Sequence, residues 1–302
     1  MDSVSDSHQV VYFYAIDYSM AALEKEYPGK RIFITGAGSG LGRSLSVYAA
    51  KKGWTVGVTD LNASALAETV KLLESHAVQV YSYVFDVGDR MMFEKSFEQF
   101  TAAAGGIDVM VNNAGVGDGS AFTDYSLDNW EWMIRINQMG VLYGCHFAAR
   151  KMKQQGSGCI VNIASAAAIA QLPEMSMYNM TKSAVRSLSE TLYAELKPGG
   201  IHVLCVMPTF FRTQIMQHAR GGDKALKRGH QLVSQSPVSA EEMAAKIWES
   251  AEKREPYLIY PSDARRVFRL SRWFPVLFLR VKAWIYARPE WQERLLYKRK
   301  ED

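Results

Sequence analysis

The sequence predicts a doubly wound α/β fold, a mostly parallel sheet with helices on both faces, in a single domain with a helical C-terminal tail. Three observations predict it. Short β-rich apolar runs alternate with helical patterns from Lys30 to Val206. A glycine cluster follows the first run and opens a helix. The 302 residues are 48% hydrophobic and 22% charged, enough to build a packed core.

The elements follow in order. Arg31 to Thr35 is a short apolar strand, and a helix runs on from the glycines to about Lys52. Trp54 to Thr59 is the second strand, Ala63 to Ser75 a helix, and Val80 to Phe85 the third strand. Asp89 to Ala104 is helical and Val109 to Val111 is a strand. Asp128 to Lys153 is a long helical stretch, followed by a strand at Cys159–Ile163. Ser176 to Leu196 is helical and Ile201 to Val206 is a strand. Parallel strands joined through helices require right-handed crossovers, which wind such a sheet in both directions from its middle. The domains are an N-terminal extension at 1–29, the α/β domain at 30–260, and a basic amphipathic tail at 261–302.

Charge is unevenly spread. The net charge is +4, but residues 256–302 carry 11 Lys and Arg against 5 Asp and Glu. The first 255 residues hold 24 basic and 26 acidic groups, a net of −2. An acidic-leaning body disfavours a nucleic-acid-coating protein, so no nucleic-acid partner is expected. Cys145, Cys159 and Cys205 form no close-spaced set, which excludes a disulfide framework or a Cys-rich metal site and fits a reducing compartment. The six histidines show no ligand spacing, so no metal is expected. The polar, acidic start lacks the features of a signal or transit peptide. The longest apolar runs, seven residues each, are too short to span a bilayer. The expected location is cytoplasmic, peripheral on a membrane surface where the tail directs it.

Two constellations carry chemistry. The first is Thr35-Gly36-Ala37-Gly38-Ser39-Gly40-Leu41-Gly42, between strand and helix. Glycines there let the backbone approach a pyrophosphate, which sits on the helix N-terminus. The second strand ends at Asp60, 24 residues beyond Gly36, where a carboxylate accepts hydrogen bonds from ribose hydroxyls and repels a 2′-phosphate. Ser39 and Leu61 stand where an NADP user would place a cation; Arg43 remains within reach of a phosphate. The expected cofactor is NAD rather than NADP. The second constellation is Ser165 with Tyr178 and Lys182. Tyr178 and Lys182 are four apart and share a helix face. An ammonium near a phenol favours the phenolate, so the expectation is a Tyr178 pKa below its ordinary value of about 10.

Taken together, the motifs make the chain resemble the short-chain dehydrogenase/reductase family, of the compact single-domain type with a Rossmann fold. The resemblance runs from Lys30 to about Tyr260. It rests on Thr35-Gly36 with Gly40-Leu41-Gly42, Asp86-Val87, Asn112-Asn113-Ala114-Gly115, Asn137, Ser165 thirteen residues before Tyr178, Lys182, and Pro208 with Thr213. It implies that Tyr178 exchanges a proton with the substrate oxygen and that Ser165 hydrogen-bonds that oxygen. Lys182 holds the nicotinamide ribose, and Asn137 kinks its helix and anchors a water. Gly36, Ser39, Gly40, Leu41, Gly42, Asp60, Ala114, Gly115 and Pro208 belong to the cofactor site. In the same site Asp86 and Val87 contact adenine, Asn112 closes the cleft, and Thr213 meets the carboxamide. The usual Pro-Gly reads Pro208-Thr209 here. Homo-oligomerisation through Asp128–Lys153 and Ser176–Leu196 is also implied.

Substrate contacts are expected from Val116–Tyr125, Ala166–Met177 and Phe210–Gln235. These segments contribute Phe122, Ile169, Leu172, Met175, Met177, Phe210, Phe211, Ile215 and Met216, an apolar set suited to a lipophilic alcohol or carbonyl. Arg212 and Arg220 are the exceptions. In the tail, Val267, Leu270, Phe274, Leu277, Val281 and Trp284 recur at spacings of three and four, flanked by arginines, with Pro275 dividing two helices. This stripe suits a membrane surface, a lid or a subunit contact. The leading reading is an NAD-dependent oxidoreductase interconverting a lipophilic secondary alcohol and a ketone. The alternatives are an NADP-dependent 3-oxoacyl-carrier-protein-type reductase and a non-catalytic NAD-sensing scaffold.

Overall fold

The computed structural model describes residues 23–288. The first part of the expected N-terminal extension and the end of the basic tail lie outside the described residues. Seven parallel strands form the central sheet: β1 (Arg31–Thr35), β2 (Thr55–Asp60), β3 (Val80–Val84), β4 (Val109–Asn112), β5 (Gly158–Ile163), β6 (Ile201–Pro208) and β7 (Tyr257–Tyr260). Their order is β3-β2-β1-β4-β5-β6-β7. The connecting helices are α1 (Gly40–Lys51), α2 (Ala63–Glu74), α3 (Arg90–Ala103), α4 (Leu127–Ile134), α5 (Gly140–Gln155), α6 (Ser176–Leu196), α7 (Asp223–Ser234) and α8 (Ala240–Glu252). The strand order reverses between β1 and β4, and a crevice opens beyond the carboxyl ends of those strands.

The period-2 geometry of a strand splits its apolar residues between two cores. Ile32 and Ile34 face one core with Leu45, Trp54, Val56 and Trp248. Phe33 faces the other with Phe93, Phe97, Phe100, Met110 and Ile160. A sheet covered on both faces therefore reads as continuous apolar runs, which is why these strands stand out in the sequence. The ring of Phe33 meets Phe97 at 5.9 Å in an edge-on contact and Phe100 at 5.2 Å. Gly57, paired with Phe33 in register, leaves room for those rings. A Cβ there would lie 2.6 Å from the Phe33 ring and 2.7 Å from that of Phe100.

Helix starts are set by side-chain caps. Asn62, Asp89, Ser126 and Ser239 each accept a backbone N–H at the head of α2, α3, α4 and α8. Ser39, at the head of α1, makes no such bond and leaves the first-turn amides of that helix for another partner. The long helical stretch expected at Asp128–Lys153 is two α-helices joined by a π turn at Arg135–Met139. Asn137 sits in that turn, so the helix departs from regular geometry at this residue. The alternation pattern did not extend to α7, α8 and β7, which lie beyond Val206.

Past Tyr260 lie α9 (Asp263–Trp273) and α10 (Pro275–Tyr286). Proline occupies the first position of α10, where its missing N–H costs nothing, and Phe274 breaks the path between the two helices. The pair rests on the α/β domain through Ala264 and Phe268. The Phe268 ring meets Tyr257 at a tilt of 54° and lies under the Arg186 guanidinium. Lys282 donates to the Ala170 carbonyl. The predicted apolar stripe points outward instead of onto the body, because Ala264, Phe268, Phe278 and Ile285 take the inner positions.

Overpacking at Gly57 gives a direct test of this core. Gly57→Ala is expected to destabilise the chain by about 1–3 kcal/mol in urea denaturation. Phe100→Leu in the Gly57→Ala background is expected to cost less than it does alone, because the smaller side chain makes room for the added methyl.

Candidate active site

The crevice at the strand ends is a continuous cleft of about 1710 Å³. Its nucleotide end is built from backbone. Gly36 has φ +66°, and a Cβ there would lie 2.8 Å from Ala114 Cα. Gly42 packs still closer, onto the Gly36 carbonyl, and Gly40 leaves room for the Thr213 hydroxyl. Gly36, Ser39 and Leu41 line the cleft, whereas Gly40 and Gly42 allow the close packing behind it. Gly38 N–H donates to Asp60 Oδ2 at 2.8 Å, and Asn62 N–H to Oδ1 at 2.9 Å. Asp60 therefore stands fixed at the end of β2, lining the cleft with Leu61. These features fit a dinucleotide: close backbone, a helix start with no side-chain cap, and an anchored carboxylate at the end of β2.

Arg43 is not the phosphate ligand that the sequence left open. Its guanidinium bonds Thr69, Glu68 and the carbonyls of Gly38 and Ala65, so it is spent on the α1–α2 contact. Asp86 and Val87 line the cleft as expected from their position after β3. Asp86 is held by Arg135 at 2.6 Å and accepts from Gly88 N–H. Asn112 is placed differently from the expectation. It is buried beneath the cleft, donating to Asn162 Oδ1 at 2.8 Å, and it does not line the cavity. Its neighbour Asn113 does line it. Asn113 Nδ2 donates to the carbonyls of Thr35 and Gly36, tying the ends of β1 and β4 together. Strand alternation explains the exchange, since adjacent residues point to opposite sides.

At the other end Ser165, Tyr178 and Lys182 converge, together with Ala114, Gly115, Pro208 and Thr213. Lys182 is buried and donates to the Ile163 carbonyl at 2.8 Å. Its ammonium lies 5.7 Å from the centre of the Tyr178 ring. Asn137 is fully buried. Its amide is occupied by Val116 N–H at 2.8 Å, the Val116 carbonyl at 3.0 Å and the Thr181 hydroxyl at 3.3 Å. The side chain of Asn137 thus positions the loop after β4.

The electrostatics overturn one expectation. Burial pushes the Tyr178 phenol up to about 12, and the Ser165 hydroxyl that donates to it only partly offsets this. The charge of Asp118 raises it further. Lys182 itself is lowered to about 8 by burial. Desolvation outweighs the ammonium–phenol attraction, since the ammonium's hydrogen bond goes to Ile163.

Asp118 is a site residue that sequence reading missed. It is buried, lines the cleft, and neither carboxylate oxygen closes a hydrogen bond of normal geometry. Burial lifts its pKa to about 6, although the Tyr125 phenol and the Tyr178 backbone N–H face it and draw it back. Among the expected substrate contacts, Leu172, Met175, Phe210, Phe211, Ile215 and Met216 line the cleft. Ile169 and Met177 are core residues and Phe122 is exposed at the surface; none of the three lines it. Arg212 is bonded to the carbonyls of Ser236 and Pro237, whereas Arg220 lines the cleft with its guanidinium 3.9 Å over the Trp132 ring.

Asp118→Asn is expected to stabilise the chain at pH 8 by up to about 3 kcal/mol. The sign follows from the raised pKa. Below about pH 4 the carboxyl is protonated both folded and unfolded, so the gain vanishes. It grows between pH 4 and 6 and is complete above that. Thermal melts across this range check it. In turnover, the same substitution should move the Tyr178-dependent limb of the pH profile to lower pH.

Comparison with known proteins places the chain in a family. Residues 30–224 match the family model described as short chain dehydrogenase. A probable oxidoreductase EphD of Mycobacterium tuberculosis is 29% identical over 81% of the chain, which covers only 43% of that longer relative. L-2,3-butanediol dehydrogenase of Corynebacterium glutamicum is 34% identical over 59% of the chain and 70% of its own length. Among solved structures, a short-chain dehydrogenase/reductase from Burkholderia phymatum in complex with NAD has a TM-score of 0.77 and 31% identity, covering 82% of this chain and 95% of its own. A short-chain dehydrogenase from Sphingobium yanoikuyae in complex with NADPH has a TM-score of 0.69 and 26% identity, covering 83% and 93%. The chain belongs to the short-chain dehydrogenase/reductase family.

Proposed function

We propose that the protein is an NAD-dependent oxidoreductase that interconverts a lipophilic secondary alcohol and its ketone. The observation that carries this reading is the convergence of Ser165, Tyr178 and Lys182 in one cleft whose far end holds Asp60. When bound, the nicotinamide accepts or donates the hydride. Tyr178 takes the alcohol proton in oxidation and returns it in reduction. Ser165 donates a hydrogen bond to the same substrate oxygen and steadies its developing charge. Lys182 holds positive charge beside the phenol, where it favours the phenolate.

Asp60 supports NAD over NADP. Its carboxylate is fixed by two backbone amides and would repel a 2′-phosphate, while Arg43 is engaged elsewhere. The substrate half of the cleft supports a lipophilic substrate, through the Met175, Met216, Phe210 and Phe211 side chains. Asp118 favours a second reading within the same chemistry, a substrate that carries a further hydroxyl. A buried carboxylate on the cleft wall, which only the Tyr125 phenol and the Tyr178 backbone N–H face, accepts such a donor, and a substrate lacking it leaves the charge less well compensated. The butanediol dehydrogenase relative is named for a substrate of this kind.

Steady-state kinetics on a panel of secondary alcohols tests the reading. NAD is expected to exceed NADP in kcat/KM by at least about tenfold, through like-charge repulsion at Asp60. Tyr178→Phe is expected to lower turnover by about two to four orders of magnitude while NAD still binds. An NADP preference contradicts the cofactor assignment. Full activity in Tyr178→Phe contradicts the mechanism. If hydroxylated substrates are preferred, Asp118→Asn is expected to erase that preference.

A further inference from the structure

The tail helices present an apolar surface that the α/β domain does not cover. Val267, Leu270, Phe274, Leu277, Val281 and Trp284 form one stripe, and all are exposed. Leu270 and Phe274 are each 53% accessible and Leu277 59%, with Trp273 beside them at 72%. A chain that only needed to pack this tail would turn its largest apolar residues inward. Here the inner positions go to Ala264, Phe268, Phe278 and Ile285, and Lys282 is drawn in to bond Ala170. Burial lowers the Lys282 pKa, so this cation serves the attachment rather than the outer face. The tail is thus fastened on one side and left apolar on the other.

Around the stripe stand Arg266, Arg269 and Arg280, all exposed, while Arg265 donates to the Ile259 carbonyl and Arg272 lies over the Phe268 ring at the attached side. From Ala264 to Arg288 the sequence contains no Asp or Glu. That pattern selects the partner. A second copy docking by this face would set the same arginines against each other across a two-fold axis, with no acid to neutralise them. A bilayer with anionic headgroups meets both demands, taking the apolar stripe into its interface and the guanidinium groups at its phosphates. No helix among the described residues is long and apolar enough to cross a membrane, so the contact lies in the plane of the surface.

The stripe also leads to the catalytic cleft. Val267 belongs to both, and Pro261 and Ala264 line the cleft just before it. Ala170, whose carbonyl holds Lys282, lines it too.

We infer that α9 and α10 form a monotopic docking surface for an anionic lipid bilayer, placing the mouth of the catalytic cleft against the membrane. Docking stands on exposure and charge. Delivery of substrate from the bilayer rests in addition on the lipophilic-substrate reading above.

The test is co-sedimentation of the full chain with phosphatidylcholine vesicles, with and without phosphatidylserine. Wild type is expected to bind the phosphatidylserine vesicles and to be released by roughly 0.5 M salt, where the screening length falls to a few ångströms. Arg266→Gln with Arg269→Gln is expected to weaken binding about twenty-five-fold, each arginine contributing roughly fivefold. Leu270→Asp with Leu277→Asp is expected to abolish it. Neither double variant should alter NAD affinity or turnover of a water-soluble secondary alcohol, which keeps misfolding apart from lost docking. Equal binding by the variants overturns the proposal. So does sedimentation velocity showing a dimer that Leu270→Asp with Leu277→Asp dissociates while vesicles bind none of the forms. Loss of vesicle binding alone leaves the catalytic reading intact. Absence of turnover on every lipophilic alcohol, with vesicle binding retained, defeats that reading and not the docking surface.

Discussion

A buried ammonium is the constraint around which this site is organised. Lys182 is almost wholly buried at the wall of the cleft, and its ammonium donates to the Ile163 carbonyl at the end of β5. That bond fixes α6 against the strand ends. It sets Tyr178, one turn earlier on the helix, beside Ser165, which follows β5 directly. Burial supplies the geometry and exacts an electrostatic cost. It pushes the phenol up to about 12 and the ammonium down to about 8, moving both groups toward their uncharged forms while Lys182 stays mostly charged near neutral pH. In the proposed mechanism, proton exchange near neutral pH depends on positive charge held beside the phenol. Lys182 supplies such a charge while it stays protonated, and Asp118 opposes it from the other side. The site is therefore poised between one buried cation and one buried anion.

The nucleotide end depends on close approach of backbone rather than on charge. Gly36, Gly40 and Gly42 leave no room for a Cβ, because Ala114, Thr213 and the Gly36 carbonyl already fill that space. Asn113 then ties the first strand to the fourth, closing the crevice at the point where the strand order reverses. Asp60 is fixed by two amides before any ligand arrives, so its position is settled by the fold. The tail adds a third principle. It is anchored by Phe268 and Lys282, yet its largest apolar residues face away from the body.

Most of the central sheet was legible because doubly covered strands carry continuous apolar runs. The helix at Ser176–Leu196 and the strand at Arg31–Thr35 appear with the bounds read from sequence. Tyr178 and Lys182 were legible because a four-residue spacing fixes a shared helix face whatever the surroundings. What escaped depends on three-dimensional surroundings. Asn112 and Asn113 are chemically identical, and only the pleat decides which faces the cleft. Asp118 looks like an ordinary loop carboxylate until the fold buries it. The Tyr178 pKa was misjudged because a sequence shows a neighbouring charge and hides desolvation. The tail stripe was legible as a stripe, but its outward direction follows from which residues Tyr257 and Arg186 admit beneath it. Strand β7, four residues long, was too short to show a period.

The central claim is that Tyr178 is the proton-transfer group and that its high pKa is brought down by positive charge in the working site. The most direct measurement is a phenolate absorbance titration of wild type minus Tyr178→Phe, with and without saturating NAD. The difference should show a single tyrosine titrating near 12 in the free chain. With NAD bound, its midpoint should fall below the ordinary tyrosine value of about 10. A midpoint unmoved by NAD, or a difference spectrum with no titrating group in the loaded chain, would contradict the account.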